Sequence, residues 1–174
     1  SVIQQTSKPK LIIVNCSGGG LRAAMWANYV LQETNRDSDG KVFTSTHLIT
    51  GASGGMVGAA YFRAIDQYQG GISEKQGQDE LANISRDLLN NVAFNLVSHD
   101  LFLRYRKFSI NDERYLKDRG HAFEKKLNVN TQFLMDKSML DYAKPEYNSE
   151  IPMMVFSPTI INDGRRLIIG TQPM

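Results

Sequence analysis

A chain of 174 residues with 41% hydrophobic and 22% charged residues has the composition of one ordinary globular domain, which excludes a disordered tail, a collagen-like rod and a disulfide scaffold. Its formal net charge of +2 is too small to point to nucleic acid, so no nucleic-acid partner is expected. The single cysteine, Cys16, forms no internal disulfide and leaves the compartment open.

The chain starts at Ser1, and its opening SVIQQTSKPK reads as polar, without a signal peptide; sequence upstream of Ser1 is expected. The longest apolar run, IPMMVF, falls far short of the roughly 20 residues that cross a bilayer. A soluble chain is predicted, cytoplasmic or peripheral to a membrane.

Lys10 to Asn15 is a β-branched apolar run that predicts a strand buried on both faces of a parallel sheet. Leu21 to Thr34 predicts a helix with Leu21, Met25, Trp26, Tyr29 and Val30 as its apolar positions, closed by the turn-rich NRDSDGK. A second strand is predicted at Thr46 to Thr50 and a second helix at Met56 to Ile65. Strand, glycine turn and helix, twice over, predict an α/β fold with a mainly parallel sheet, one domain over residues 1–174.

After the loop DQYQGGISEKQGQ, the middle of the chain, about 79–142, reads as helical. Asp79 to about Leu103 carries a helical stripe that includes Leu81, Ile84, Leu88, Val92 and Leu96. SINDERYLKDRGHAFEKKL, with Ser109 and Asn111 as cap candidates, predicts another helix, broken at Gly120. Thr131 to Tyr142 predicts a short one. IPMMVFSPTII, the turn NDG and RRLIIGT then predict a hairpin.

The two glycine turns carry the chemistry. Gly51-Ala52-Ser53-Gly54-Gly55 satisfies G-x-S-x-G between a predicted strand and a predicted helix, the context of a nucleophile elbow. Gly51 and Gly55 let the backbone bend sharply, so the Ser53 hydroxyl stands exposed at the strand's end. A tetrahedral oxyanion needs donors fixed in advance, each worth roughly 2.7 to 4 kcal/mol of barrier. Gly18, Gly19 and Gly20 can aim consecutive amides into one concavity, and Arg22 can steady the loop or the charge. Two strand-to-helix turns of a parallel sheet lie at the same carboxyl edge, so the repeated junction predicts two halves of one acyl-transfer site.

SGGGLRA followed by GASGG resembles the patatin-like phospholipase family, whose pattern is a G-G-G-x-R-G oxyanion loop and then a G-x-S-x-G elbow. The resemblance spans most of residues 10 to 65, with Ala23 in place of the glycine that ends the family's G-G-G-x-R-G pattern. It implies a three-layer α/β/α fold and lipid acyl hydrolysis of a phospholipid or other fatty-acyl ester by a Ser-Asp dyad, with no histidine and no cofactor. Gly18, Gly19, Gly20 and Arg22 match the oxyanion loop and Ser53 the nucleophile. The family's dyad aspartate stands in an Asp-Gly-Gly or Asp-Gly-Ala motif. Here Asp163-Gly164 is the one candidate, followed by Arg165, and turn chemistry already accounts for Asn162-Asp163-Gly164. The dyad partner is therefore expected beyond Met174, and the 174-residue chain is expected to hydrolyse esters poorly.

Competing readings rest on weaker signals. Gly18-x-Gly20-x-x-Ala23 fits a dinucleotide fingerprint, yet STHLIT ends the next strand without an acidic residue for a ribose. A non-catalytic lipid-binding or interaction module on the same fold is the alternative from another class. Cys16 reads as a small buried residue, and His47, His99 and His121 lack metal-ligand spacing, so no metal is expected. Arg104 to Lys126 holds eight Lys or Arg and four Asp or Glu, either a solvated face or a transient contact with anionic lipid headgroups. Oligomeric state and substrate specificity are not legible.

Overall fold

The computed structural model of the protein describes residues 11–70, 73–160 and 162–173. Lys10, read as the start of the first strand, and Ile161, read into the late hairpin, lie outside the described residues. The elements are β1 (Ile12–Cys16), α1 (Gly20–Asp37), α2 (Lys41–Ser45), β2 (Thr46–Gly51), α3 (Ser53–Gln69), α4 (Glu74–Ser85), α5 (Leu89–Asn95), β3 (Lys107–Ile110), β4 (Glu113–Leu116), α6 (Arg119–Asn130), α7 (Ala143–Tyr147) and β5 (Met153–Phe156). The fold is α/β: β1, β2 and β5 form a parallel sheet with β2 in the middle. Among the described residues no helix is long and apolar enough to cross a membrane.

Register decides which strand residues enter the core. Val14, Ile49 and Met154 stand side by side on one face, where they meet Met56, Ala59 and Phe62 of α3 and Phe43 of α2. The Phe43 and Phe62 rings meet edge to face at 5.0 Å, the arrangement their quadrupoles favour. The opposite face is not buried as expected at β1. Ile13 is 55% exposed and Asn15 is exposed, because no described element covers that side of the strand.

α1 also departs from its predicted orientation. Its buried residues are Ala24, Asn28 and Gln32, while Trp26, Tyr29 and Val30 face outward. The reason lies in α3: a Cβ added to Gly58 would stand 2.0 Å from the Ala24 carbonyl oxygen, so the two helices meet backbone to backbone. Only small residues fit such a crossing. The Asn28 amide donates to the Gly58 carbonyl at 3.2 Å and the Gln32 amide donates to Asn28, which satisfies the polar groups the approach buries.

The helical middle breaks where side chains offer better local partners. The stripe from Asp79 is interrupted at Arg86, whose backbone is extended; Asp87 Oδ1 then accepts from the Leu89 and Asn90 amides at 3.0 and 3.2 Å and starts α5. One π-helical turn, Leu96–Asp100, continues it. The segment from Ser109 is not helical at first but forms the hairpin β3–β4, because Asn111 and Asp112 both adopt positive φ (48° and 67°), the geometry of a two-residue hairpin turn. The helix starts later, where Asp118 accepts from the His121 amide at 3.0 Å, and Gly120 sits inside its first turn. Thr131 to Tyr142 is not one helix either: Gln132 and Phe133 take positive φ, and Ser138 caps a 3-10 turn, Met139–Tyr142. The late hairpin is closed by two isolated bridges, Phe156 with Ile169 and Thr159 with Arg166, while RRLIIGT forms no continuous strand.

One buried ion pair clamps these parts together. Arg63 of α3 donates to Glu146 of α7, which also accepts from the Thr171 hydroxyl and, at 3.3 Å, from the Met154 amide of β5. The Arg63 guanidinium lies 4.2 Å from the Tyr142 ring centroid.

Candidate active site

β1 and β2 end level with each other, Cys16 beside Gly51, and each turns at once into a helix, so both glycine junctions open at the same carboxyl edge. Ala52 is extended and donates its amide to the Cys16 carbonyl at 3.0 Å. The next residue, Ser53, has φ of 51°, a strained value for a residue with a side chain. It begins α3 with its side chain exposed. This is the bend the motif predicts, read now as geometry.

The glycine loop presses directly on that bend. A Cβ built on Gly18 would stand 3.3 Å from Ser53 Cβ, and one on Gly54 would fall 1.8 Å from the Gly20 carbonyl oxygen. Gly51 and Gly55 lie equally close to the carbonyls of Cys16 and Ser17. Gly20 itself has φ of 64°, the left-handed conformation that glycine adopts without penalty. Sequence reasoning named Gly51 and Gly55 as elbow residues but passed over Gly54, the position that locks elbow to loop; the glycine doublet at a helix start was its signal.

Electrostatics at the edge are set by the two helices. Neither α1 nor α3 has a side-chain cap or an acidic residue in its first turn, whereas Ser73 caps α4 and Asp118 caps α6. The first-turn amides of α1 and α3 are left as free donors with a positive dipole end. Cys16, beneath the elbow, is buried and its thiol is pushed up by desolvation, so it stays protonated at neutral pH.

Ser53 stands between two apolar cavities. One, about 310 Å³, is lined by Gly20, Leu21 and Gly54 and closed by Leu88, Leu89 and Phe123. The other, about 550 Å³, is lined by Met56, Val57, Met139, Phe156 and Ile169. Both lie in the size range of small-molecule sites. Among the described residues, no carboxylate or imidazole belongs to either wall.

The chain matches no family model, no curated protein and no solved structure.

The remaining predicted residues lie elsewhere. Arg22 is exposed and borders a shallow groove with Met25, Trp26 and Tyr29, apart from both Ser53 cavities. Asp163 sits in the turn of the late hairpin, where its carboxylate accepts from the Arg165 amide at 3.0 Å and its Nε at 2.7 Å. Those bonds hold the Asp163 carboxyl below the usual carboxylate range. His47 is exposed, His99 stacks on Tyr105 and His121 lies against Phe108. No cluster of potential metal ligands occurs among the described residues. Asp163→Asn is expected to leave the melting temperature and the reactivity of Ser53 unchanged; a loss of Ser53 reactivity in that variant shows that the turn swings into the site.

Proposed function

We propose that the protein is a serine acyl hydrolase of patatin-like type, acting on a fatty-acyl ester, with Ser53 as nucleophile and amides of the Gly18 to Gly20 loop as oxyanion donors. The observation that carries this reading is the strained, exposed Ser53 at a strand-to-helix bend, with the glycine loop packed against its Cβ. Ser53 Oγ, its proton taken up by solvent hydroxide, attacks the ester carbonyl. The tetrahedral oxyanion collapses and expels the alcohol, and water then releases the fatty acid from the acyl-serine. The two apolar cavities give an acyl chain somewhere to lie on either side of the reacting carbon, and the sheet face bearing Ile13 is where the second helical layer of a three-layer fold belongs.

Among the described residues, the cavity walls carry no base. That favours slow chemistry in this chain, and it is the specific observation behind the second reading, a lipid-binding module without turnover. The dinucleotide reading finds no acidic residue on the walls to hold a ribose.

A fluorophosphonate separates the two main readings. Long incubation followed by peptide mapping is expected to place the adduct on Ser53, absent in Ser53→Ala, with a rate that climbs with pH up to about 10 instead of levelling near 7, since without a neighbouring base only the ionised hydroxyl attacks. No adduct at Ser53 even at high pH, or equal labelling of Ser17 and Ser157, overturns the hydrolase reading. A plateau near pH 7 shows that a base reaches Ser53 after all.

A further inference from the structure

We infer that the segment from Leu89 to Leu116 is a docking arm for an anionic lipid surface, rooted at the Ser53 cavity. No residue from Leu89 to Lys126 is buried, which is a long stretch for a chain rich in large apolar side chains. Phe94 is 67% exposed, Leu101 66%, Phe102 80% and Leu103 57%, so three consecutive bulky side chains, Leu101 to Leu103, stand exposed. Scattered apolar exposure is ordinary on a protein surface; a contiguous run of this kind marks an interaction site.

The occupant follows from charge. Arg104, Arg106 and Lys107 follow that apolar run directly and are all exposed. Arg104 to Lys107 holds three bases and no acid, against four Lys or Arg and three Asp or Glu over the whole arm, and among the described residues the arm's ion pair, Asp100 with Arg119 of α6 at 3.1 Å, engages none of those three. Apolar side chains beside unspent cations match a bilayer with anionic headgroups, where the apolar run enters the acyl boundary and the cations meet phosphates.

Position ties the arm to the site. The chain leaves the 310 Å³ cavity at Leu88 and Leu89 and returns to it at Phe123 of α6, and α5 packs on α6. The start of the arm and the helix that follows it thus frame one mouth beside Ser53, and docking would set that mouth against the lipid. The inference deepens the acyl hydrolase reading, but lipid binding is measured without any turnover.

The test is flotation of the 174-residue chain with vesicles of phosphatidylcholine alone and of phosphatidylcholine mixed with phosphatidylglycerol, at low and high salt. Binding is expected only to the anionic vesicles and to weaken with salt. Since each cation near such a surface contributes about fivefold in affinity, replacing Arg104, Arg106 and Lys107 by Gln is expected to weaken it on the order of 100-fold. Phe102→Asp with Leu103→Asp is expected to abolish it with unchanged circular dichroism. Ser53→Ala is expected to bind as the parent does, so that vesicle binding without a Ser53 adduct sinks the hydrolase reading alone. Binding indifferent to phosphatidylglycerol and salt, or kept by the Asp variant, overturns the arm. So does a dimer that the Asp variant converts to monomer in light scattering while vesicle binding is unchanged, since the apolar run would then serve a second copy of the chain.

Discussion

Gly58→Ala is expected to lower the unfolding free energy by about 3 kcal/mol, although alanine is the better helix former by about 1 kcal/mol. The new Cβ would meet the Ala24 carbonyl oxygen at 2.0 Å and its carbon at 2.8 Å. Those are backbone atoms inside α1, and no rotamer change moves them away. The helices must separate, which breaks the Asn28 bond to the Gly58 carbonyl and loosens the packing of Ala24 against Tyr61 and Ile65. Because α1 begins at Gly20 and α3 at Ser53, separation also widens the gap between the glycine loop and the serine, so adduct formation at Ser53 should fall in the same variant. Urea unfolding decides the first half. A variant as stable as the parent shows that α1 and α3 do not meet backbone to backbone.

The same crossing explains where sequence patterning misleads. Apolar periodicity selects Met25, Trp26, Tyr29 and Val30 as the inner face of α1, yet three of these face outward. The inner face is Ala24, Asn28 and Gln32 because a partner helix bearing glycine rewards size and hydrogen bonding above hydrophobicity. Periodicity measures transfer from water, and it cannot see a neighbour's missing side chain. In α5 and the hairpin the failure is different. Asp87, Asn111 and Asp112 hold the backbone in cap and turn geometries that outcompete a continuous helix, so of the stripe Ile84 and Leu88 stay buried while Leu96, past the break, ends up in solvent.

The meeting of the two glycine turns was more legible in the sequence than the fold around it. Gly18, Gly19, Gly20 and Ser53 come together at one sheet edge because motif order and strand context constrain the backbone directly, and glycines are placed by backbone geometry. Arg22 did not follow them, since a long side chain one turn into a helix points where the helix face sends it, here toward Trp26. The cavity walls were not legible at all. Leu88 and Phe123 reach Ser53 from elements distant in sequence, and no local pattern encodes that meeting.

Glu146→Ala is expected to destabilise the protein by about 3 to 5 kcal/mol. Glu146 is the acceptor for Arg63, for the Thr171 hydroxyl and for the Met154 amide at once, and the side chains of the pair are 3% and 0% exposed. Burial already pulls the Arg63 pKa below its ordinary value while Glu146 works to raise it. Without the carboxylate, a cation is left in the interior with only the Pro152 carbonyl at 3.3 Å and the Tyr142 ring to receive it. Glu146→Gln keeps one acceptor and should fall between parent and Ala. The informative variant is the double change Arg63→Met with Glu146→Leu, which removes both charges. It should recover most of the loss and retain a deficit of about 1 to 3 kcal/mol, because the Met154 amide and the Thr171 hydroxyl still lack a partner. A double variant less stable than Glu146→Ala would mean that the pair contributes through attraction and not through mutual neutralisation. The clamp also joins α3, which carries Ser53, to β5 and Thr171, whose neighbours Phe156 and Ile169 wall the larger cavity. Loss of stability should therefore appear first as loosening of that wall, read as faster amide exchange at Phe156 and Ile169, whose two backbone bonds to each other, at 2.9 and 2.8 Å, hold it shut.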